Sequence, residues 1–406
     1  MKSLLSVLLA LFVLTGCAGY QTLSAPANNL FLQSKFDEAA LEYSKQVDGA
    51  GNARLLALLD AGLAWHYAGE YERSNRYFTA AEKLADKLEI VSVSSEAASL
   101  LATDYILKYG GDDFEKLLIN TYMAFNYLLL DDLENAMVEI RRFNEKLAKY
   151  ERRCDCEYGI NPFTEYLSGI LYEMDGKPDD AYIDYKKVYE VMPDFALLPN
   201  DLARLSGELN RGEDHDRWKS MFGVQPPKTG PRSGELVVVF ECGLSPEKRQ
   251  DQRVIAIPAY YPRYSVIQGA RVIVDGKPIG NTHVLNDIEK IATEQLKDKM
   301  GRMLLKQGIA TGGKIAAAET IRKKSNSDAL GNLALLFFYA TNEADTRSWL
   351  TLPGNMQIQR VTLPAGRHGV SLKLLDGSGR ERETVDLGEV RIPANGKKFI
   401  SYRSVY

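Results

Sequence analysis

The chain has 406 residues, 45% of them apolar and 26% charged, enough for two domains with buried cores and incompatible with global disorder. The net charge of −4 conceals a split: residues 1–225 carry 23 Lys/Arg against 36 Asp/Glu, or −13, and residues 226–406 carry 27 against 18, or +9. Nothing in this balance points to nucleic acid, four His and four Cys leave little for a metal centre, and halves of opposite sign either meet different partners or attract each other.

Lys2 and the apolar run Ser3 to Leu14 read as a secretory signal, because about a dozen residues are too few to span a ~30 Å hydrocarbon core. Leu14-Thr15-Gly16-Cys17 resembles the lipobox of bacterial lipoproteins. The resemblance implies cleavage between Gly16 and Cys17, a covalent lipid on the Cys17 thiol, and an acylated amino terminus. Several acyl chains hold a protein stably where one holds it marginally. Ala18, in place of an Asp, implies the outer rather than the inner membrane, with residues 17–25 as a lipidated tether.

Residues 26–213 show helical periodicity with repeats. Gly62 and Trp65, followed by Tyr71, Ser74, Phe78 and Ala81, have the spacing of a tetratricopeptide unit. A second copy places Ala124 and Tyr127 before Leu133, Ala136 and Ile140; a third places Gly169 and Tyr172 before Ala181 and Tyr185. A half copy from Phe36 through Ala39 to Tyr43 begins the array. Small residues let paired helices approach and aromatics fill the space between them. The uneven spacing predicts longer helices or an inserted element around residues 85–115. Such an array supplies either a spacer or a groove for a protein segment. Acidic pairs at 112–113, 131–132 and 179–180 fall at turns, where solvation or helix capping accounts for them.

Residues 214–233, with Pro226-Pro227, read as a linker. From 234 the period changes: Leu236 to Phe240, Arg253 to Ile257, Ala270 to Val274, Met356 to Leu363, Val370 to Leu375, Arg382 to Leu387 and Lys398 to Tyr406 read as strands. Turns are expected at Asp275-Gly276 and at Asp376 to Gly379. Between the strand groups, residues 286–342 read as a helical insertion in which Gly308, Gly312 and Ala316 recur every fourth residue. This gives an α + β multidomain protein: a tetratricopeptide-like α-solenoid, then a β-sandwich-like domain with a helical insertion.

Ala344 to Trp349, Leu352-Pro353 and Leu363 to Gly366 resemble an uncharacterised family of proteobacterial outer-membrane lipoproteins. That resemblance implies an N-terminal tetratricopeptide-like region and a C-terminal strand-rich domain, and brings no assigned activity. Chemistry is poorly represented. Gly308 to Lys314 nearly matches a phosphate-binding loop, but Ile315 stands where a Ser/Thr would hold Mg²⁺. Cys242 has no neighbouring base in the sequence, His283 and His368 are isolated, and no cluster has metal-ligand spacing. Cys154 and Cys156 are incidental, redox-active, or a source of a partner for Cys242. Arg347 and Trp349 either contact a partner or cap the sandwich.

The expected function is that of a non-enzymatic scaffold without cofactor, lipid-anchored in the outer membrane and facing the periplasm, that binds another envelope protein through its repeats. Three alternatives stand beside it. The basic back half binds peptidoglycan, polysaccharide or anionic lipid headgroups; the chain is an enzyme acting on envelope polymers, against which the missing catalytic constellation argues; or the insertion makes a membrane-active oligomer.

Overall fold

The computed structural model describes residues 20–94, 108–154, 161–223, 232–250, 258–299 and 345–406. The signal, Cys17 with Gly16, the expected strand 253–257 and the insertion residues 300–342 lie outside the described residues, as do Cys156 and the Cys154 side chain.

Among the described residues, ten helices form five successive pairs: α1 (Tyr20–Leu32) with α2 (Phe36–Gln46), α3 (Arg54–Tyr67) with α4 (Tyr71–Ser94), α5 (Asp113–Leu129) with α6 (Leu133–Cys154), α7 (Pro162–Met174) with α8 (Pro178–Val191), and α9 (Leu198–Glu208) with α10 (Gly212–Phe222). The five turns share one chemistry. Ser34, Gly69, Asp131, Gly176 and Asn210 each adopt a positive φ between the helices of their pair. The next amide in each case donates five residues back, to the carbonyls of Leu30, Trp65, Tyr127, Tyr172 and Ser206. This left-handed cap closes a helix with two satisfied carbonyls and redirects the chain. It aligns positions 30, 65, 127, 172 and 206 as one repeat register, with uneven steps of 62 and 45 residues between the middle three.

Helix starts are equally legible. Asp112 and Glu115 form a reciprocal capping box at α5, and Asn161 accepts the Thr164 amide at 3.0 Å ahead of Pro162. The long step between the second and third pairs contains α4, which runs 24 residues. Two boundaries differ from the sequence reading. The expected tether is helical from Tyr20, so α1 completes the half copy at Phe36. The expected linker from residue 214 is helical through Phe222, because Trp218 is buried and stacks against Phe222.

Among the described residues, the second half forms two four-stranded sheets and a ribbon. The inner sheet has the order β10 (Lys397–Ser404), β1 (Ser233–Cys242), β7 (Asn355–Pro364), β6 (His283–Asp287), with β10 parallel to β1 and the other pairs antiparallel. The outer sheet has the order β5 (Lys277–Asn281), β4 (Ile267–Val274), β8 (Gly366–Asp376), β9 (Glu381–Ile392). β2 (Leu244–Gln250) pairs with β3 (Pro258–Arg263). Asp275 and Gly276 both have positive φ, as the tight β4–β5 hairpin requires.

β2, β3 and β6 were not foreseen, and the helical insertion starts at residue 288 rather than 286, with a helix over 288–299 (α11). Leu236, Val238 and Phe240 pack between the sheets against Val272, Leu372 and Leu374. Val237 and Val239 belong instead to the core of the helical array, together with Ile358, Phe399, Trp349 and Leu352. The molecule is therefore layered as helices, inner sheet, outer sheet.

Candidate functional site

The small residues of the repeats do what their spacing predicts. A Cβ on Gly62 would stand 2.8 Å from the Phe78 ring, and one on Gly169 would be closer still to Tyr185. Both pairs are 16 residues apart, and so are Ala124 and Ile140, both fully buried. A flat ring two turns into the second helix demands Gly, whereas the aliphatic version stands with Ala. Ala136 and Ala181 are fully buried, and Ser74 at the same register donates to the Gly62 carbonyl at 2.7 Å. Trp65 donates to Ser44 at 3.1 Å beneath the Arg73 guanidinium; Tyr71 packs near the His66 ring; Tyr127 and Tyr172 are half-buried at their turns.

The first helices of the pairs are unusually apolar and almost wholly buried: α3, α5 and α7 carry few exposed residues. They are covered on one side by their second helices and on another by the chain's own strand domain. A groove along the first helices is therefore not open to a partner. Its occupants are held by polar groups at three places.

At the first, Asp112 accepts from Lys248 at 2.8 Å, Lys299 at 3.1 Å and Tyr260 at 3.1 Å. Burial alone would raise this carboxyl, but the two ammonium groups overcome it and hold it far below the usual range. The neighbouring Glu115 takes the Trp349 amide at 2.7 Å and the Tyr109 hydroxyl. Burial, reinforced by the Asp112 charge, pushes Glu115 upward.

At the second, Glu241 of β1 accepts from Tyr122 at 2.6 Å and Tyr67 at 3.2 Å, with His66 Nε2 3.8 Å away. Asn126 donates to Ser74 and Asn75, so its oxygen takes the Nδ1–H of His66. Close by, Asp60 accepts from Thr351 and Tyr20, each at 2.6 Å, and burial raises its pKa to about 6.

At the third, Arg360 of β7 donates to Glu235 at 2.7 Å, Asp201 at 3.3 Å, Tyr185 at 3.0 Å and Tyr166 at 3.1 Å. Lys397 bridges Glu235 at 2.6 Å and Glu173 at 3.0 Å. Burial would raise Glu235, but Arg360 and Lys397 bring it down to about 2.

Lys398 adds a more exposed pair to Asp131 at 2.8 Å. Among the described residues, five cations of the basic half (Lys248, Lys299, Arg360, Lys397, Lys398) thus pair with carboxylates of the acidic half. Part of the charge split is an internal complementarity.

Of the residues singled out as contacts, Trp349 is 1% exposed and packs against Phe78 and Tyr122, so it is an internal anchor. Arg347 pairs with Asp345 at 2.8 Å and lies over the Tyr109 ring. Cys242 is unpaired and buried; burial pushes its thiol up to about 11, which disfavours the nucleophilic thiolate. His283 is half-buried near Phe195, and His368 bridges Asp275 and the Pro364 carbonyl. No group of three His, Cys, Asp or Glu side chains among the described residues is placed to hold a metal ion. None of the described helices is long and apolar enough to cross a membrane.

Asp60, Glu115, Glu241 and Arg360 were missed as site residues. Asp60 inside the apolar run of α3 and Glu241 at the end of the apolar run of β1 had a signal, a charge in apolar surroundings; Glu115 and Arg360 stand among polar neighbours and had none.

No protein-family model matches the chain, and no curated protein matches it. Solved structures with partial likeness include MamA from Desulfovibrio magneticus RS-1 (13% identity, 50% of this chain and 90% of that one, TM-score 0.33). The kinesin light chain repeats of Podosopora anserina, described as tetratricopeptide-like, give 10% identity over 49% and 91%, with TM-score 0.32. BtubC from P. vanneervenii gives 13% over 52% and 84%, with TM-score 0.34. The assignment of a tetratricopeptide-like array rests here on the five capped helix pairs.

Proposed function

We propose that this chain is a non-enzymatic scaffold, lipid-anchored at Cys17 in the outer membrane and facing the periplasm. In this reading its helical repeats bind another protein in envelope assembly, export or wall synthesis. The observation that carries the reading is the division of labour within the repeats. The first-helix face is closed by the strand domain, which leaves the second helices as the repeated, outward surface. Two residues beyond each small residue of the second helices stand Leu41, Arg76, Val138 and Ile183, the first and last about half exposed. This row repeats along the array as a binding surface would.

The alternative, glycan binding by the basic half, is weakened because five of its cations already face carboxylates of the other domain. Photo-crosslinking residues placed at Leu41 and Ile183 in living cells test the proposal, with Thr384 on the outer sheet as reference. Capture of one common protein from the two helical positions is expected. Capture from Thr384 alone would overturn it.

A further inference from the structure

We infer that the exposed β3–β4 tip, Tyr264-Ser265-Val266, rests in the interface of the phospholipid surface that holds the lipid anchor. The inference deepens the proposed lipidation of Cys17 and rests on it. Three peptide steps separate Cys17 from Tyr20, a reach of at most about 11 Å. Tyr20 is not part of a loose leader. It begins α1 and its hydroxyl is bonded to the buried Asp60. An acylated Cys17 therefore brings this end of the molecule against the bilayer.

A chain of hydrogen bonds links the base of the tip to the same carboxylate. Asp60 also accepts from Thr351 at 2.6 Å, and the preceding Leu350 carbonyl accepts from Arg263. Arg263 additionally donates to the Ser245 carbonyl at 2.6 Å. The residue after Arg263 is Tyr264, which is 96% exposed, and Val266 is 63% exposed. On α1, one turn from Tyr20, Leu23 is also exposed.

The exposure is built in. Ser265 donates to the Ile267 carbonyl at 2.9 Å, Gln268 donates back to Ser265 at 2.9 Å, and the Ser265 side chain lies against Gly243. A braced bend that holds an aromatic ring outside the fold, beside an aliphatic neighbour, has the chemistry of an interfacial anchor: an apolar body with a polar hydroxyl at its wet end. A protein partner is the competing occupant. The three-residue reach from the anchor favours lipid.

The test uses the full lipidated chain in vesicles of phosphatidylethanolamine and phosphatidylglycerol with brominated acyl chains. The native tryptophans Trp65, Trp218 and Trp349 are buried, so an introduced indole reports locally. Tyr264→Trp is compared with Ile183→Trp, in the fourth helix pair, and mass spectrometry reads the acyl groups on Cys17. Strong bromine quenching at 264 with none at 183 is the expected result. An acylated chain that floats with the vesicles but is unquenched at 264 overturns the inference and leaves the anchor standing. A mature chain without acyl groups on Cys17 overturns both.

Discussion

Toward the outer sheet, β1 presents Leu236, Val238, Phe240 and Cys242; toward the helices the same strand presents Glu235, Val237, Val239 and Glu241. The first interface is closed mainly by aliphatic packing, with Gln357 and Gln359 as buried polar exceptions. The second mixes Val237, Val239, Ile358 and Phe399 with carboxylates, a guanidinium and tyrosine hydroxyls. Aliphatic packing tolerates small changes of side-chain shape at a graded cost. A desolvated network of charges does not, because any member left without its partner is buried at full cost. The contrast teaches that the outer sheet is held to the inner one by volume, while the helical array is held to it in one fixed geometry.

The sharpest way to break that contrast is Arg360→Met, which keeps most of the apolar stem and removes the charge shared by Glu235, Glu173 and Asp201. A loss of about 3–5 kcal/mol in denaturant unfolding is expected. A loss below about 1 kcal/mol would mean that the acids are already solvated and the interface is loose.

The next test uses pH. Asp60 has a folded pKa raised to about 6 from an ordinary 3.8, so the fold favours its protonated form. Its stabilising contribution is complete below the lower value and disappears as pH rises through the higher one. Relative to Asp60→Asn, the native chain is expected to lose about 2.4 kcal/mol between pH 4 and pH 7. Parallel stability curves for the two would show that Asp60 is wet.

Within the helical half, Gly62→Ala forces a methyl into the Phe78 ring and should cost about 1–3 kcal/mol. Combining it with Phe78→Ile reproduces the Ala124 and Ile140 pairing. The double variant is expected to lose less than the sum of the single losses, and strict additivity would refute the shape argument. The smallest effect belongs to Lys398→Ala, whose partner Asp131 is 68% exposed. Less than about 1 kcal/mol is expected, and a larger loss would place this pair inside the desolvated network.

Much of the fold was legible in the sequence because local chemistry and periodicity agree. Gly69 and Gly176 supply two of the five left-handed turns, and Gly62 with Phe78 sets a helix spacing. The continuous apolar run at Leu236 to Phe240 signals a strand buried on both faces. The first and last helix pairs were only partly visible, since Ser34 and Asn210 are weaker left-handed signals than glycine. β2 reads LSPEKRQ, and nothing in that composition announces a strand.

Apart from Asp60 and Glu241, charges set in apolar runs, the interdomain site was legible only as a charge imbalance. Arg360 meets Glu173, Asp201 and Glu235 across long sequence separations, and no spacing rule connects them. The opposite signs of the halves foretold attraction but not which residues would close it.

The central claim is that the strand domain covers the first-helix face of its own chain. Zero-length carbodiimide cross-linking followed by peptide mass spectrometry tests it most directly, because Lys398 and Asp131 are in contact at 2.8 Å and both reach solvent. The predicted result is an amide bond between these two side chains within the monomer. A cross-link found only between two copies, or none at this pair while Lys373 joins Glu381 within the outer sheet, would contradict it.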